Sequence, residues 1–146
     1  MKVLIQRVKE ASVEIENQLY SQIKSGMLIF CCFENGDSEE QIQKACIKIK
    51  NLRIFEDDKG KMNLNLEQAN AQVLCVSQFT LSWDGQRGNR PSFDRSLDPR
   101  QAVLLYRNFI STLSKIGVDV KEGQFAANMQ VKLVNDGPVT FFIEFP

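Results

Sequence analysis

Three polar side chains that could contact a substrate follow a buried strand near the middle of the chain. Residues 73–76 form an apolar run of the kind that fills the interior of a sheet. Ser77, Gln78 and Thr80 then supply two hydroxyl groups and an amide, and Phe79 lies between them. A rigid strand that ends in an accessible loop is a common place for a site. The alternative is an ordinary strand end whose polar residues face solvent.

The sequence contains no histidine, and this restricts the available chemistry. Ser-His-Asp and Cys-His nucleophile systems are excluded, as is histidine as a general base. Thr80 is the obvious hydroxyl nucleophile, but nothing in the sequence supplies the base that such a hydroxyl needs. The backbone N–H groups of Phe79 and Thr80 are candidates for stabilising an oxyanion, at about 2.7–4 kcal/mol for one donor. We expect no metal and no cofactor.

A second segment with unusual backbone requirements spans residues 135–140 and reads NDGPVT. Asn135 and Asp136 favour turns, and the pair Gly137–Pro138 restricts the backbone. Only about 5–6% of X-Pro bonds in folded proteins are cis, so the residues alone do not establish a cis bond here. The alternative is a plain hairpin loop that joins strands at 129–133 and 139–145.

The elements that must position these segments are strands and two helices. Alternating or continuous apolar residues predict strands at 2–8, 11–16, 19–24, 27–33, 72–79, 118–121, 129–133 and 139–145. Ser38 and Asp98 are typical N-caps for helices over 38–52 and 99–116, each of which has an apolar face. This order predicts an α/β (α+β layered) fold, in which the two helices cover one side of a mixed β-sheet.

Composition bounds the possible partners and the compartment. A chain of 146 residues predicts one domain over 1–146, and 18 basic against 18 acidic residues exclude a strongly basic polyanion binder. Any contact with nucleic acid must therefore come from a local patch. The four cysteines lack CxxC spacing and predict reduced core residues of a cytoplasmic protein. The N-terminal residues do not resemble a signal peptide, and no apolar run is long enough to span a membrane.

Residues 76–81 (VSQFTL) and 135–140 (NDGPVT) together resemble the D-aminoacyl-tRNA deacylase family. Shorter matches continue in order along the chain: QRV at 6–8, ASV at 11–13, NLRIFED at 51–57, GKMN at 60–63, RPSF at 90–93 and MQVKLVNDGPVT at 129–140. The resemblance implies a homodimer that hydrolyses the ester between a D-amino acid, or glycine mischarged on a non-cognate tRNA, and the 3′-terminal adenosine of tRNA. L-aminoacyl-tRNA would be spared.

The resemblance also implies roles for the residues of both segments. Gly137 and Pro138, joined by a cis bond, would reach into the partner's site and select chirality through their backbone carbonyls, and Arg7 would brace them. Phe125 and Met129 would lie near the terminal adenosine. The residues that would line the pocket beside the ester are Ser77, Gln78, Phe79 and Thr80.

Two mechanisms and three functions stay open at this point. Either Thr80 is the nucleophile or the ribose 2′-hydroxyl assists water, and we favour the second because no base is present. The acceptor stem would be contacted by cations that could equally be ordinary solvated side chains: Arg87, Arg90, Arg95, and Lys59 or Lys61. The alternatives to the deacylase are a non-catalytic RNA-binding or dimerisation module and a hydrolase of small D-amino-acid esters.

Overall fold

The structure, a computed structural model, describes residues 1–86 and 88–146. Its strands are β1 (Lys2–Ile15), β2 (Gln18–Ile23), β3 (Gly26–Cys32), β4 (Phe55–Glu56), β5 (Met62–Leu64), β6 (Gln72–Ser77), β7 (Val120–Glu122) and β8 (Gln130–Glu144). Its helices are α1 (Glu39–Asn51) and α2 (Pro99–Lys115), and a 3₁₀ turn spans Phe79–Ser82.

A mixed sheet connects most of these elements. Within the described residues its order is β2-β1-β3-β6-β7, and β8 pairs with the other edge of β1. The pairs that β1 makes are antiparallel, whereas β3 with β6 and β6 with β7 are parallel. Parallel neighbours need long crossovers, and α1 and α2 lie in the two crossovers of this sheet. The mixed sheet agrees with the prediction from sequence.

Both helices pack on one side of the sheet, as predicted. Ile42 of α1 and Phe109 of α2 are fully buried and share one core with Ile5, Ile29 and Val73 of the sheet. The apolar faces that the helical periodicity indicated are therefore the faces that cover the sheet.

Each helix begins at its predicted cap. Gln41 Oε1 accepts a hydrogen bond from the Ser38 backbone N–H at 2.9 Å and closes a capping box. The Asp98 side chain accepts from the Arg100 N–H at 2.9 Å, which satisfies one of the free amides at the start of α2. The two caps fix where each crossover turns into a helix.

The strand β1 is continuous where the sequence predicted two strands, 2–8 and 11–16. Lys9 and Glu10 are exposed and interrupt the apolar pattern, but the backbone pairing with β8 continues past them with shifts of register. The bent second half of β1 lies with β2 and β8 over the other side of the sheet. There Val13, Leu28 and Leu74 form a second, smaller core.

Residues 135–138 do not form a hairpin loop, and the prediction of two strands joined there was wrong. Both halves of β8 pair with β1, since Asn135 lies opposite Val8 and Thr140 lies opposite Gln6. A hairpin would pair the two halves with each other. Residues 136–139 instead oppose Arg7 alone, so the excess chain is pushed out of the ladder as an extended bulge.

Smaller differences concern element ends. The turn between β1 and β2 is at Glu16 and Asn17, whose φ angles are 51° and 62°. The strand β6 ends at Ser77, because the next residues enter the 3₁₀ turn. The prediction of reduced core cysteines is confirmed, since the four cysteines are free and buried. No helix in the described residues is long and apolar enough to cross a bilayer.

Candidate active site

The carboxyl end of β6 opens onto a cavity of about 610 Å³. Five of the residues singled out from sequence line it: Ser77, Gln78, Phe79, Phe125 and Met129. The remaining lining is largely apolar and comes from the end of β3, the start of α2 and the neighbouring loops. A concave, mostly apolar cavity with a few polar groups is the usual form of a small-molecule site.

The first motif ends in a 3₁₀ turn rather than in a strand. The Gln78 N–H donates to the Cys31 carbonyl at 2.8 Å and anchors the start of the turn to β3. The Leu81 N–H then donates to the Gln78 carbonyl at 3.3 Å. The N–H groups of Phe79 and Thr80 have no acceptor among the described residues, as is usual for the first amides of a helical turn. Two donors are therefore available beside the cavity.

Thr80 does not line the cavity, and its hydroxyl contacts an amide. Gln78 Nε2 donates to Thr80 Oγ1 at 2.5 Å. An amide is not a base in either orientation of its oxygen and nitrogen, so this contact cannot activate the hydroxyl. The described residues thus place no base on Thr80, in agreement with the absence of histidine.

Phe125 and Met129 are positioned by buried neighbours. The ring of Phe125 lies 5.7 Å from that of Tyr106, whose hydroxyl donates to the Cys75 carbonyl at 3.0 Å. Burial raises the pKa of Tyr106, so this donor stays protonated. Met129 fits because residue 123 is glycine: a Cβ at Gly123 would lie 2.7 Å from Met129 Sδ.

Among the described residues of the lining, Asp98 supplies the charged side chain, and the sequence had not indicated that this cap of α2 reaches a site. Its Oδ1 accepts from the Arg100 N–H at 2.9 Å and from Arg100 Nε at 3.1 Å. The hydrogen bond from the Arg100 side chain is the largest cause that lowers the pKa of Asp98. A carboxyl group with a lowered pKa is ionised at neutral pH and is not a general acid.

The loop before α2 contributes lining residues that sequence reasoning did not assign to the site. Phe93 packs edge-to-face against Phe79, with ring centroids 4.9 Å apart. Residues 90–93 had been noted as a match to a known family, but nothing local indicated that Phe93 reaches the end of β6.

Cys32, at the end of β3, also lines the cavity and was not predicted as a site residue. It lies in an apolar run of the sequence, which is typical of a core residue.

Gly137 and Pro138 lie away from this cavity and are exposed. The pairing of β8, β1, β3 and β6 places Asn135 level with Gln72, which is five residues before Ser77. With about 3.3 Å per residue along a strand and about 4.8 Å between strands, the two motifs of one chain are roughly 20 Å apart. The peptide bond between Gly137 and Pro138 is cis. One chain therefore does not bring the two motifs together.

Arg7 lies buried beneath the bulge and contacts two parts of the chain. Its Nε donates to the Asp136 carbonyl at 2.9 Å, and its Nη1 donates to the Ile54 carbonyl at 2.7 Å. Its Nη2 pairs with Glu56 Oε1 at 3.2 Å. Arg7 thereby connects the bulge to the β4–β5 hairpin.

Asn135 closes the bulge from the other side. Its Oδ1 accepts a hydrogen bond from the Val139 N–H at 2.8 Å. This bond joins the two ends of the displaced segment, as asparagine side chains commonly do in turns. Gly137 has φ 148°, and a Cβ there would lie 2.6 Å from Val139 Cγ2. The bulge therefore requires glycine at this position.

The predicted cations lie on two separate elements. Arg90 and Arg95 are exposed on the loop before α2, where Arg95 Nε is 3.4 Å from Glu34 Oε1. Lys59 and Lys61 are exposed beside the turn of the β4–β5 hairpin. Arg87 falls outside the described residues.

Comparison with known proteins decides the family. Residues 4–144 match the family model described as "D-Tyr-tRNA(Tyr) deacylase". The chain belongs to this family. A relative from Pectobacterium atrosepticum, named "D-aminoacyl-tRNA deacylase", is 50% identical over 144 residues, which cover 99% of each chain.

Two solved structures are similar to this member of the family. One, described as "c-Myc DNA Unwinding Element Binding Protein", superposes with a TM-score of 0.96 at 37% identity and covers 100% of this chain and 99% of its own. The other, described as a probable eukaryotic D-amino acid tRNA deacylase, has a TM-score of 0.83 at 18% identity, with 97% of each chain covered. Both confirm the predicted layered fold.

The contact between residue 123 and Met129 can be tested by stability. Gly123→Ala should lower the free energy of unfolding by only about 1 kcal/mol, because the new methyl group overlaps Met129 Sδ and the flexible Met129 side chain must shift. In a Met129→Ala background the same substitution should cost much less, so a double-mutant cycle from urea unfolding should show coupling. An equal cost in both backgrounds would contradict the packing described for this wall.

Proposed function

We propose that this chain hydrolyses the ester that joins a D-amino acid, or glycine on a non-cognate tRNA, to the 3′-terminal adenosine of tRNA. The products are the free amino acid and tRNA, and the role is chiral proofreading in the cytoplasm by one domain over residues 1–146. The observation that carries the proposal is membership of the family along residues 4–144, with a relative named for this activity at 50% identity. The cavity at the end of β6 is consistent with it.

The cavity suits a terminal adenosine that carries a small acyl group. Its volume of about 610 Å³ lies within the range of about 300–1,000 Å³ that is usual for small-molecule sites. Phe125 and Met129 present apolar surface on which an adenine ring can pack. Phe93 and Phe79 would enclose the ester from the side of the loop.

The turn at the cavity supplies donors for the developing oxyanion. Water adds to the ester carbonyl carbon, the ribose 3′-oxygen leaves, and negative charge collects on the carbonyl oxygen in between. The free N–H groups of Phe79 and Thr80 would stabilise that charge, at about 2.7–4 kcal/mol for one donor. Aminoacyl esters are labile, so positioning and this stabilisation carry most of the catalysis.

The attacking water is activated by the substrate rather than by the protein. The contact of Thr80 Oγ1 is an amide group of Gln78, and a threonine hydroxyl without a base is a weak nucleophile. Asp98 is ionised but held by Arg100. The free 2′-hydroxyl of the terminal ribose is adjacent to the ester and can orient the water. Ser77 and Gln78 would then hold the ester in place.

Selection against L substrates would come from a second copy of the chain. Gly137 and Pro138 are exposed and roughly 20 Å from the cavity of their own chain by strand geometry. Arg7 and Asn135 hold this segment from beneath and leave its outer surface free. In a homodimer its carbonyls would accept hydrogen bonds from the substrate ammonium group and leave no room for an L side chain.

An apolar strip on the sheet suits such a homodimer. Leu4 lies between Phe142 and Phe30 on the side of the sheet that the helices do not cover. Phe142 is 51% exposed and Phe79 is 57% exposed. Exposed large apolar side chains beside a site mark an interaction surface, and a symmetric pair would bury the same strip twice.

The tRNA backbone would be held by local cations, since the chain has no net charge. Arg90 and Arg95 are exposed on the loop that lines the cavity. Lys59 and Lys61 lie on the hairpin that Arg7 connects to the Gly-Pro segment, and in a dimer they would follow that segment to the partner's cavity. Such contacts would make the affinity for tRNA fall with rising salt.

The function is tested with matched substrates. The protein should release the amino acid from D-Tyr-tRNA and leave L-Tyr-tRNA intact over the same time course. Release from neither substrate would favour a non-catalytic RNA-binding or dimerisation module. Release from simple D-tyrosine esters at a similar rate would favour a small-ester hydrolase, and either result would overturn the proposal.

One change in the protein and one change in the substrate distinguish the catalytic role of Thr80 from that of the ribose 2′-hydroxyl. Thr80→Ala should reduce kcat by less than about tenfold, because the backbone N–H is retained and the hydroxyl has no base. D-Tyr-tRNA that ends in 2′-deoxyadenosine, with the ester on the 3′-oxygen, should be cleaved at least about a hundredfold more slowly. Loss of activity in Thr80→Ala together with normal cleavage of the deoxy substrate would assign the nucleophile to Thr80.

A further inference from the structure

Cys32 contacts the turn that carries the two free N–H groups. Its Sγ lies 3.5 Å from the Phe79 carbonyl oxygen. The contact joins the last residue of β3 to the first residue of the 3₁₀ turn. The side chain is 1% exposed and faces the cavity lining rather than the helix-covered core that contains Cys31. The distance is that of a thiol hydrogen bond to a carbonyl.

The thiol can act in this contact only as a donor. Burial, followed by the charge of Glu34, raises the pKa of Cys32 to about 12, so the S–H proton is retained at neutral pH. The Phe33 carbonyl is farther from the same sulfur, at 3.7 Å. A single S–H proton therefore favours the Phe79 carbonyl.

The peptide group that Cys32 contacts also carries the Thr80 N–H. A trans peptide is planar, and its C=O and N–H point in opposite directions. A donor that holds the Phe79 carbonyl on one side therefore fixes the direction of the Thr80 N–H on the other. The Thr80 N–H has no acceptor among the described residues. The Phe79 carbonyl is held from the turn itself, whose i→i+3 bonding pattern runs from the Ser82 N–H, and from β3 by the Cys32 thiol.

We propose that Cys32 is a positioning residue that orients the Phe79–Thr80 peptide group, and thereby the Thr80 N–H, toward the ester oxygen. The inference rests on the proposed function for its effect on rate, but the hydrogen bond itself does not. The Cys32 side chain is 1% exposed and acts through the turn rather than on the reacting atoms. Its loss should lower the rate of the chemical step and leave substrate binding in place, because the oxyanion forms only in the transition state.

The test compares three variants of Cys32 with a control at Cys46. Cys32→Ala and the near-isosteric Cys32→Val should each lower kcat on D-Tyr-tRNA by about two- to tenfold, the value of one modest hydrogen bond, with KM unchanged. Cys32→Ser keeps an O–H donor and should recover much of the loss. Cys46 is equally buried and its thiol lies 3.8 Å from the Phe109 carbonyl in the helix-covered core, so Cys46→Ala should lower the melting temperature without changing kcat.

A measurement on the free protein separates this inference from the proposed function. The amide proton of Thr80 should shift in the NMR spectrum of Cys32→Val and return toward its original position in Cys32→Ser. Wild-type kcat in both Cys32→Ala and Cys32→Val, or an unmoved Thr80 amide, would overturn the positioning role even if the deacylase is active. If the unaltered protein does not deacylate D-Tyr-tRNA but the Thr80 amide shift is observed, the proposed function is wrong and the hydrogen bond from Cys32 is confirmed.

Discussion

The pairing of β8 with β1 is the constraint on which the rest of the structure depends. Both halves of β8 bind the same strand, and residues 136–139 have only Arg7 opposite them. The ladder cannot absorb this excess, so the segment must leave the sheet. Arg7 and Asn135 then satisfy its inner polar groups and hold it outward. The Gly-Pro segment is thus held on the outer surface, away from the cavity of its own chain.

The buried parallel pair of β3 and β6 fixes the other half of the site. Gly26 lies opposite Gln72 so closely that a Cβ there would lie 2.0 Å from the Gln72 carbonyl oxygen. From that close start the two strands run side by side to Cys31 and Ser77. The turn after Ser77 is therefore held on β3 by the Gln78 N–H and by the Cys32 thiol. Catalysis by positioned backbone donors needs such rigid support.

The sequence predicted helices and strands correctly where a single local signal, such as a cap or an apolar periodicity, determines the structure. The caps at Ser38 and Asp98, the apolar faces of the helices and the buried strand before Ser77 each follow from side-chain chemistry within a few residues. The bulge in β8 did not follow, because Asn, Asp, Gly and Pro indicate a turn equally in a hairpin and in an interrupted strand. Only the pairing with a distant strand distinguishes these two cases.

The residues of the site could also be predicted from sequence only where a local pattern indicated them. The residues of the two motifs were found, partly by resemblance to a known family. Phe93, Asp98 and Cys32 reach the cavity from elements that are far from Ser77 in sequence, so no local pattern could indicate them. The distance between the two motifs also follows only from the register of four strands. The separation that this register produces is the reason why we propose that a second copy of the chain completes the site.

The most direct test of a site shared between two chains is complementation in mixed dimers. Gly137→Ala should disrupt the projecting segment, and Ala127→Trp should fill the cavity, so that each homodimer is inactive on D-Tyr-tRNA. Co-expression at equal levels should restore about one quarter of normal activity, because about half of the dimers carry one intact site. If the mixed dimers form, as seen by mass spectrometry, and remain inactive, the two motifs do not act across the subunit interface.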